Sequence, residues 1–110
     1  MKRMYCVPLL LTAALGVTPA LAQDAKAGRA KASAQCAVCH GMDGIAQLPT
    51  AANLAGQQEV YLAKALEDFR AGRRVNEMMT VVSKDLTDAD IANLAAWYGS
   101  IKITVQLPER

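Results

Sequence analysis

The chain is constrained most by the pentapeptide Cys36-Ala37-Val38-Cys39-His40, which places its only histidine directly after a pair of cysteines. Two cysteines separated by two residues can close a redox disulfide, form half of a zinc site, or attach a haem through two thioethers. These three possibilities make different demands on the remaining residues. The rest of the sequence therefore decides among them.

The N-terminal segment, residues 1–22, has the pattern of a secretory signal peptide. Lys2 and Arg3 precede an apolar run, and small residues two apart predict cleavage after Ala22. The apolar run, residues 7–15, is too short to cross about 30 Å of hydrocarbon. We therefore expect a periplasmic protein that is exported across the inner membrane and does not stay inserted in it.

Cleavage leaves a single domain, residues 23–110, in which Cys36 and Cys39 are the only cysteines, because Cys6 lies in the leader. The two basic residues of the leader account for the formal charge of +2, so the mature domain is balanced. Balanced charge and few aromatic residues argue against a nucleic-acid partner. A domain this small and rich in alanine commonly needs a cofactor to complete its core.

Helical patterns dominate the domain and predict an all-α fold with three main helices. The first follows the capping residue Asp24 and covers residues 25–39. The second covers residues 57–72, and the third covers residues 88–100. The second helix is expected to bury one apolar stripe, composed of Val60, Tyr61, Leu62, Ala65, Leu66 and Phe69.

The remaining segments show weaker patterns. Glycine and proline punctuate residues 40–56, which we interpret as a structured loop. Residues 73–86 have no clear period and are predicted to form a loop with at most one helical turn, with Val81 and Val82 facing inward. The end of the chain, from residue 102, alternates weakly like a strand but has no partner strand and is interpreted as a tail.

The zinc and disulfide interpretations each leave part of the pentapeptide unexplained. A structural zinc site usually takes four protein ligands from two pairs, and the mature chain has no second pair. A thioredoxin-like disulfide requires alternating strands and helices, and it assigns no role to His40. Covalent haem accounts for every position, because Cys36 and Cys39 add to the two vinyl groups and His40 binds the iron.

A low-spin electron carrier needs a second axial ligand, and methionine is the available donor. Met42 lies two residues from His40, and two residues reach at most about 7 Å, too short to pass around the macrocycle. Met78 and Met79 lie in the irregular segment before the last helix, where the chain can return across the opposite face of the haem. Their position alone leaves both as candidates.

Four stretches within residues 24–101 resemble the class I c-type cytochromes: CAVCHG, NLAGQ, YLAKALEDFRAGRR and LTDADIANLAAWY. The resemblance is to the small periplasmic monohaem proteins and to each half of the dihaem ones. It implies three main helices wrapped around one covalently bound haem c. In that family the ligand methionine lies seven positions before the hydrophobic residue that precedes the last helix, here Leu86. The resemblance therefore implies Met79 as the ligand, with Met78 as the runner-up.

The resemblance also implies two structural contacts. The helix that contains Gly28 is expected to cross the last helix near Leu94 and Trp97, since glycine permits close approach. A backbone carbonyl just before the NL pair is expected to accept the proton on the second ring nitrogen of His40, which orients the ring. Many relatives carry proline at that place, whereas this chain has Ala52.

An iron bound by both histidine and methionine has no free position for a substrate, so the expected function is one-electron transfer and not enzymatic catalysis. The expected partners are a redox protein donor and acceptor, and a monomer is favoured. One alternative is a haem c subunit of a larger dehydrogenase; another is a ligand sensor or peroxidase, which requires that neither methionine binds. Basic residues that can dock an acidic partner or pair with the haem propionates are Lys64, Arg70, Arg73 and Arg74.

Overall fold

The computed structural model describes residue 1 and residues 22–109, so the predicted signal peptide lies almost entirely outside the described residues. The described part contains no β-strand and five α-helices: α1 (Ala25–Gln35), α2 (Ala37–His40), α3 (Glu59–Arg70), α4 (Glu77–Ser83) and α5 (Asp88–Ser100). The all-α prediction is confirmed, and the three longest helices are the three that the sequence predicted. No helix within the described residues is both long enough and apolar enough to cross a membrane.

The first predicted helix, residues 25–39, is interrupted at Cys36, so the prediction of one continuous helix was wrong. α1 begins after Asp24, whose carboxylate accepts hydrogen bonds from two backbone N–H groups of the first turn. Cys36 has a φ of −116°, well away from the helical value of about −63°. α2 is a separate turn that ends at Gly41, which has a φ of +73°. The break separates the turn that carries His40 from the helix that packs on α5.

The segment predicted to be a loop with one helical turn contains α4 instead. Asn76 caps this helix, because its Oδ1 accepts hydrogen bonds from the N–H groups of Met78 at 3.1 Å and Met79 at 3.0 Å. Val81 was predicted to face inward but is 70% exposed, while Val82 is half-buried. A two-turn helix is too short to show a clear hydrophobic period, so only the capping asparagine marked it in the sequence.

α3 begins at Glu59, two residues later than predicted, and buries a narrower stripe than expected. Leu62 and Phe69 are buried, whereas Val60 is 82% and Tyr61 is 51% exposed. Leu62 and Phe69 are seven residues apart, about two helical turns, and so share one face. Val60 and Tyr61 are rotated by about 200° and 100° from Leu62, which carries them off that face.

α1 and α5 approach most closely at Gly28. A Cβ atom at Gly28 would lie 1.9 Å from the carbonyl oxygen of Asn93 and 3.0 Å from Cβ of Trp97. The predicted crossing is therefore confirmed, and only glycine fits there. The buried core joins α1, α3 and α5 and consists of Ala32, Leu62, Leu86, Ile91, Leu94, Ala95 and Tyr98.

The start of α5, predicted at residue 88, is held by a reciprocal cap. The Thr87 hydroxyl accepts from the Asp90 N–H at 3.0 Å, and the Asp90 carboxylate accepts from the Thr87 N–H at 3.0 Å. Both groups would otherwise lack a partner inside the helix. This cap sets where the chain turns from α4 into the core helix.

Candidate functional site

Cys36 lies at the break between α1 and α2, and Cys39 lies about one turn later in α2. Both are half-buried, and their thiols are not joined in a disulfide. The Cys36 carbonyl accepts from the N–H groups of Cys39 at 3.2 Å and His40 at 2.9 Å, which winds the chain into the short α2. Burial raises the pKa of the Cys36 thiol to about 11, against the opposing effect of nearby Lys31. The thiol is therefore protonated at neutral pH.

His40 ends α2 and is buried, with 9% of its surface exposed. Its Nδ1 lies 2.7 Å from the carbonyl oxygen of Ala52. A carbonyl oxygen only accepts hydrogen bonds, so Nδ1 is the donor and carries a proton. The expected carbonyl contact is confirmed. The arrangement leaves Nε2 as the nitrogen that can bind a metal.

The segment between α2 and α3 is a structured loop, as predicted, and its hydrogen bonds converge on Gly44. The Gly44 carbonyl accepts from the N–H groups of Leu54 at 2.7 Å and Ala55 at 3.1 Å. The Asn53 side chain adds a further bond, because its Oδ1 accepts from the Ala46 N–H at 2.7 Å. These bonds fasten the segment that presents the Ala52 carbonyl. Asn53 was not recognised from the sequence, where it appeared only within the NL motif.

Tyr98 ties α5 to the residue that follows His40. Its hydroxyl donates to the Gly41 carbonyl at 3.1 Å, and its side chain is only 2% exposed. Burial raises the pKa of this phenol well above its ordinary value. The polar contact of Tyr98 had no local signal in the sequence, because its partner is 57 residues away.

The candidate methionines lie in different surroundings. Met78 and Met79 occupy the first turn of α4, where Met78 is 64% exposed and Met79 is half-buried. Met42 is half-buried in the loop directly after α2. Of the two residues that the sequence left as candidates, Met79 is thus the one whose side chain is withdrawn from water.

The donor groups present fit a covalently attached haem. They are two unbridged thiols one turn apart, a buried imidazole with a protonated Nδ1, and thioether sulfurs on α4. Within residues 22–109, no group of three or more His, Cys, Asp or Glu side chains is placed to hold a metal ion. A zinc ion held by side chains alone would need such a group. The donor set therefore matches thioether attachment and imidazole ligation of a haem iron.

Three of the four basic side chains that were expected to dock a partner or bind propionates form ion pairs. The Asp68 carboxylate binds the Lys64 ammonium and the Arg73 Nε, the latter at 2.8 Å. These hydrogen bonds lower the pKa of Asp68. Arg70 reaches from α3 to Asp88 at 2.7 Å. Two carboxylates therefore offset part of the positive charge of these three side chains.

Arg74 is the fourth of these basic residues, and it forms no ion pair with the residues that the structure describes. Its guanidinium carbon lies 4.8 Å from the centroid of the Phe69 ring. That separation is within the range of a cation–π contact. The contact fixes the Arg74 side chain against α3 and leaves its charge unneutralised.

Comparison with known proteins adds sequence and structural similarity to this geometry. A family model described as "Cytochrome C oxidase, cbb3-type, subunit III" matches residues 23–97. Cytochrome c4 of Pseudomonas aeruginosa is 43% identical over 103 residues, which cover 94% of this chain and 51% of the relative. Cytochrome c-554(548) of Halomonas halodenitrificans is 40% identical over 82 residues, which cover 72% of this chain and 98% of the relative.

The structural similarity is of the same kind. The crystal structure of reduced recombinant cytochrome c4 from Pseudomonas stutzeri matches with a TM-score of 0.65 and 39% sequence identity, over 76% of this chain and 48% of that one. This chain spans about half the length of the cytochrome c4 relatives that it matches. The family match includes the cysteine pair, His40 and most of α5.

Proposed function

Because the chain belongs to the c-type cytochrome family and binds haem c covalently, we propose that it is a periplasmic one-electron carrier. Its class I fold would hold the haem rigidly. In this proposal the haem is attached through Cys36 and Cys39. His40 and Met79 are the axial ligands of its iron. Haem c supplies the Fe(II)/Fe(III) couple, and the residues around it set its position and its potential.

The hydrogen bond from His40 to Ala52 is the observation that carries the proposal. It fixes the tautomer with the proton on Nδ1, so that Nε2 presents a lone pair, and it fixes the plane of the ring. It also makes the imidazole a more basic ligand, which favours the ferric form.

Met79 is proposed as the second ligand because it is half-buried, whereas Met78 is 64% exposed. A sulfur ligand works best where water is excluded, since solvent competes for the metal and raises the local dielectric. The Asn76 cap holds the first turn of α4, and with it the backbone of Met79, at 3.0 Å. Methionine ligation favours the ferrous form and raises the reduction potential. With His40 and Met79 both holding the iron, no position would be left for a substrate.

The proposed partners are a redox protein donor and a redox protein acceptor. Asp68 and Asp88 offset two of the three positive charges on Lys64, Arg70 and Arg73, and the predicted mature domain has balanced charge. Long-range steering is therefore expected to be weak. Export through the predicted signal peptide, residues 1–22, places both partners in the periplasm. The protein is proposed to act as a monomer.

Absorption spectra of the oxidised wild type, Met79→Ala and Met78→Ala test the ligation. We expect the weak red band that reports an iron–sulfur bond to disappear in Met79→Ala only. We also expect the reduced wild type to resist carbon monoxide at neutral pH and Met79→Ala to bind it, because only the variant has an open position. Loss of the red band in Met78→Ala alone would show that the ligand assignment is wrong. Carbon monoxide uptake by the wild type would favour a sensor or peroxidase instead.

Purification of the exported protein tests the role as a free carrier. We expect a monomer that exchanges electrons rapidly with added redox proteins. Stable co-purification with a catalytic subunit would contradict the free carrier and favour an electron-transfer subunit of a dehydrogenase.

A further inference from the structure

We propose that Asn53 is a positioning residue, whose side chain holds the Ala52 carbonyl against His40 and so sets the strength of the hydrogen bond to the imidazole. The inference rests on the proposed ligation of haem iron by His40. It assigns to one surface amide a role in tuning the reduction potential.

Neither the side chain nor the N–H group of Ala52 holds this residue in place. The Ala52 side chain is exposed, and its N–H takes part in no hydrogen bond within residues 22–109. Its carbonyl nevertheless accepts a short bond of 2.7 Å from Nδ1 of His40. Whatever keeps that carbonyl in place must therefore act through the neighbouring residues.

The neighbours on the C-terminal side are fastened to the other half of the loop. Backbone bonds join the N–H groups of Leu54 and Ala55 to the Gly44 carbonyl. These backbone bonds stop short of Asn53. The Asn53 side chain extends the fastening by one residue, because its Oδ1 accepts from the Ala46 N–H at 2.7 Å. The residue that adjoins Ala52 is thus held by a side chain.

The far end of this connection returns to the pentapeptide. The N–H of Gln47, the residue after Ala46, donates to the Cys39 carbonyl at 2.8 Å. Three hydrogen bonds thus close a ring: Gln47 to Cys39, Ala46 to Asn53, and His40 to Ala52. Between them the ring runs through the peptide bonds that join neighbouring residues. Every link of this ring is backbone or imidazole except the Asn53 amide. That amide is the one link that a substitution can remove without altering the chain's backbone or the ligand.

Removal of the Asn53 acceptor loosens the peptide after Ala52, because the nearest remaining bonds are that of the Ala51 N–H to the Leu48 carbonyl at 3.0 Å and those of Leu54 and Ala55 to Gly44. The His40 Nδ1 proton then spends more time without its acceptor, and the imidazole becomes a weaker base. A less basic imidazole would give less electron density to the iron and stabilise its ferric form less, so the reduction potential rises. Opening of the bond also exposes the Nδ1 proton to exchange with water.

The test uses the haem-loaded protein and four variants. Asn53→Ala and Asn53→Leu remove the acceptor, and Asn53→Leu keeps the side-chain volume in case Asn53→Ala folds poorly. Asn53→Ala combined with Ala52→Pro restores stiffness at position 52, because proline fixes φ and the Ala52 N–H that it replaces has no bond to lose. Gln47→Ala is the matched control, since it removes another side-chain amide of the same loop, which donates to the Ile45 carbonyl at 3.0 Å.

Two quantities are measured: the exchange rate of the His40 Nδ1 proton in the reduced protein by NMR, and the midpoint potential. We expect exchange about tenfold faster in Asn53→Ala and Asn53→Leu, in keeping with the loss of one hydrogen bond. We expect the ratio of reduced to oxidised protein at a fixed potential to rise about threefold, which corresponds to a midpoint about 28 mV higher. Both quantities should return toward wild type in the double variant and stay unchanged in Gln47→Ala.

Wild-type exchange and potential in both Asn53 variants would overturn the proposal. A change that Ala52→Pro does not reverse would also overturn it, because Asn53 would then act by another route. Either result leaves the ligation by His40 intact, as the absorption spectrum of the wild type would show. Failure of the wild type to show imidazole ligation would instead refute the proposed function.

Discussion

Substitution of Gly28 by alanine should separate the two helices on which the domain is built. The added Cβ would lie 1.9 Å from the Asn93 carbonyl oxygen and 2.5 Å from its carbonyl carbon. Non-bonded heavy atoms rest about 3.5 Å apart, so α1 and α5 would have to move about 1–2 Å apart. Both atoms of Asn93 belong to the backbone of a helix, so no side-chain rotation can relieve the overlap.

The expected loss can be worked out from these contacts. Overpacking in a core typically costs about 1–3 kcal/mol, and a clash with helix backbone belongs at the upper end, about 3 kcal/mol. Alanine recovers about 1 kcal/mol through its better helix propensity. The net destabilisation is about 2 kcal/mol, and at about 4–8 °C per kcal/mol for a domain of this size it lowers the Tm by about 8–16 °C.

Thermal unfolding of the oxidised protein, followed by circular dichroism, measures this loss. Gly99→Ala in α5 is the matched control, because its Cβ would meet the Glu59 side chain, at Cγ, at 2.6 Å, and the nearest backbone atom, the Gln57 carbonyl oxygen, would be 3.1 Å away instead of 1.9 Å. We expect the control to lose less than about half as much stability, since it gains the same helix propensity. A Tm of Gly28→Ala within about 3 °C of the wild type would refute the reasoning, because the helices would then have room that the structure does not show.

Three further outcomes are expected. Tyr98→Phe leaves the buried Gly41 carbonyl without its donor and should lower the free energy of unfolding by about 1–2 kcal/mol in a guanidinium titration; an unchanged midpoint would contradict this. Burial raises the pKa of Tyr98 above its ordinary value of 10.0, so its stabilising effect is fully present below about pH 10 and is lost as the pH rises further. Tyr98→Phe should therefore flatten the alkaline loss of stability, and identical pH profiles would disprove it. Arg70→Ala should cost about 1 kcal/mol in urea unfolding, because Arg70 is 28% exposed and also donates to the Leu86 carbonyl at 2.9 Å beside its link to α5. Arg73→Ala should cost clearly less, because the Arg73 side chain is 63% exposed and its pair joins no second helix; equal losses would show that the link to α5 adds nothing.

The predictions that succeeded rest on local chemistry. The cap at Asp24 placed the start of α1 correctly, because a cap involves only a few neighbouring residues. The contact between His40 and a backbone carbonyl was also predicted, from the family resemblance. It is present because every residue has a backbone carbonyl, so the presence of alanine at position 52 does not remove it.

The errors arose where tertiary packing overrides local pattern. Val60 and Tyr61 were assigned to the buried stripe because their side chains are apolar, but both are exposed. Which face of α3 is buried depends on where α5 lies, and the local sequence pattern does not give the position of α5. The break at Cys36 was missed for a related reason, because alanine-rich sequence favours a continuous helix. α4 was missed because two turns give no readable period, although Asn76 was a usable cap signal.

The contacts that shape the site were the least predictable. Tyr98 reaches a carbonyl 57 residues away, and Asn53 reaches an amide seven residues away across a loop. Neither contact has a spacing that recurs in regular structure. Such bonds become visible only when the loop between α2 and α3 is folded.

The central claim is that one haem is attached to this chain through Cys36 and Cys39 directly before its ligand His40. Mass spectrometry of proteolytic peptides from the exported, mature protein tests it most directly. We predict that the peptide containing residues 36–40 carries the mass of one haem and that every other peptide has its unmodified mass. A peptide of bare polypeptide mass at residues 36–40, from protein matured in a host that attaches haem to other c-type cytochromes, would contradict the account.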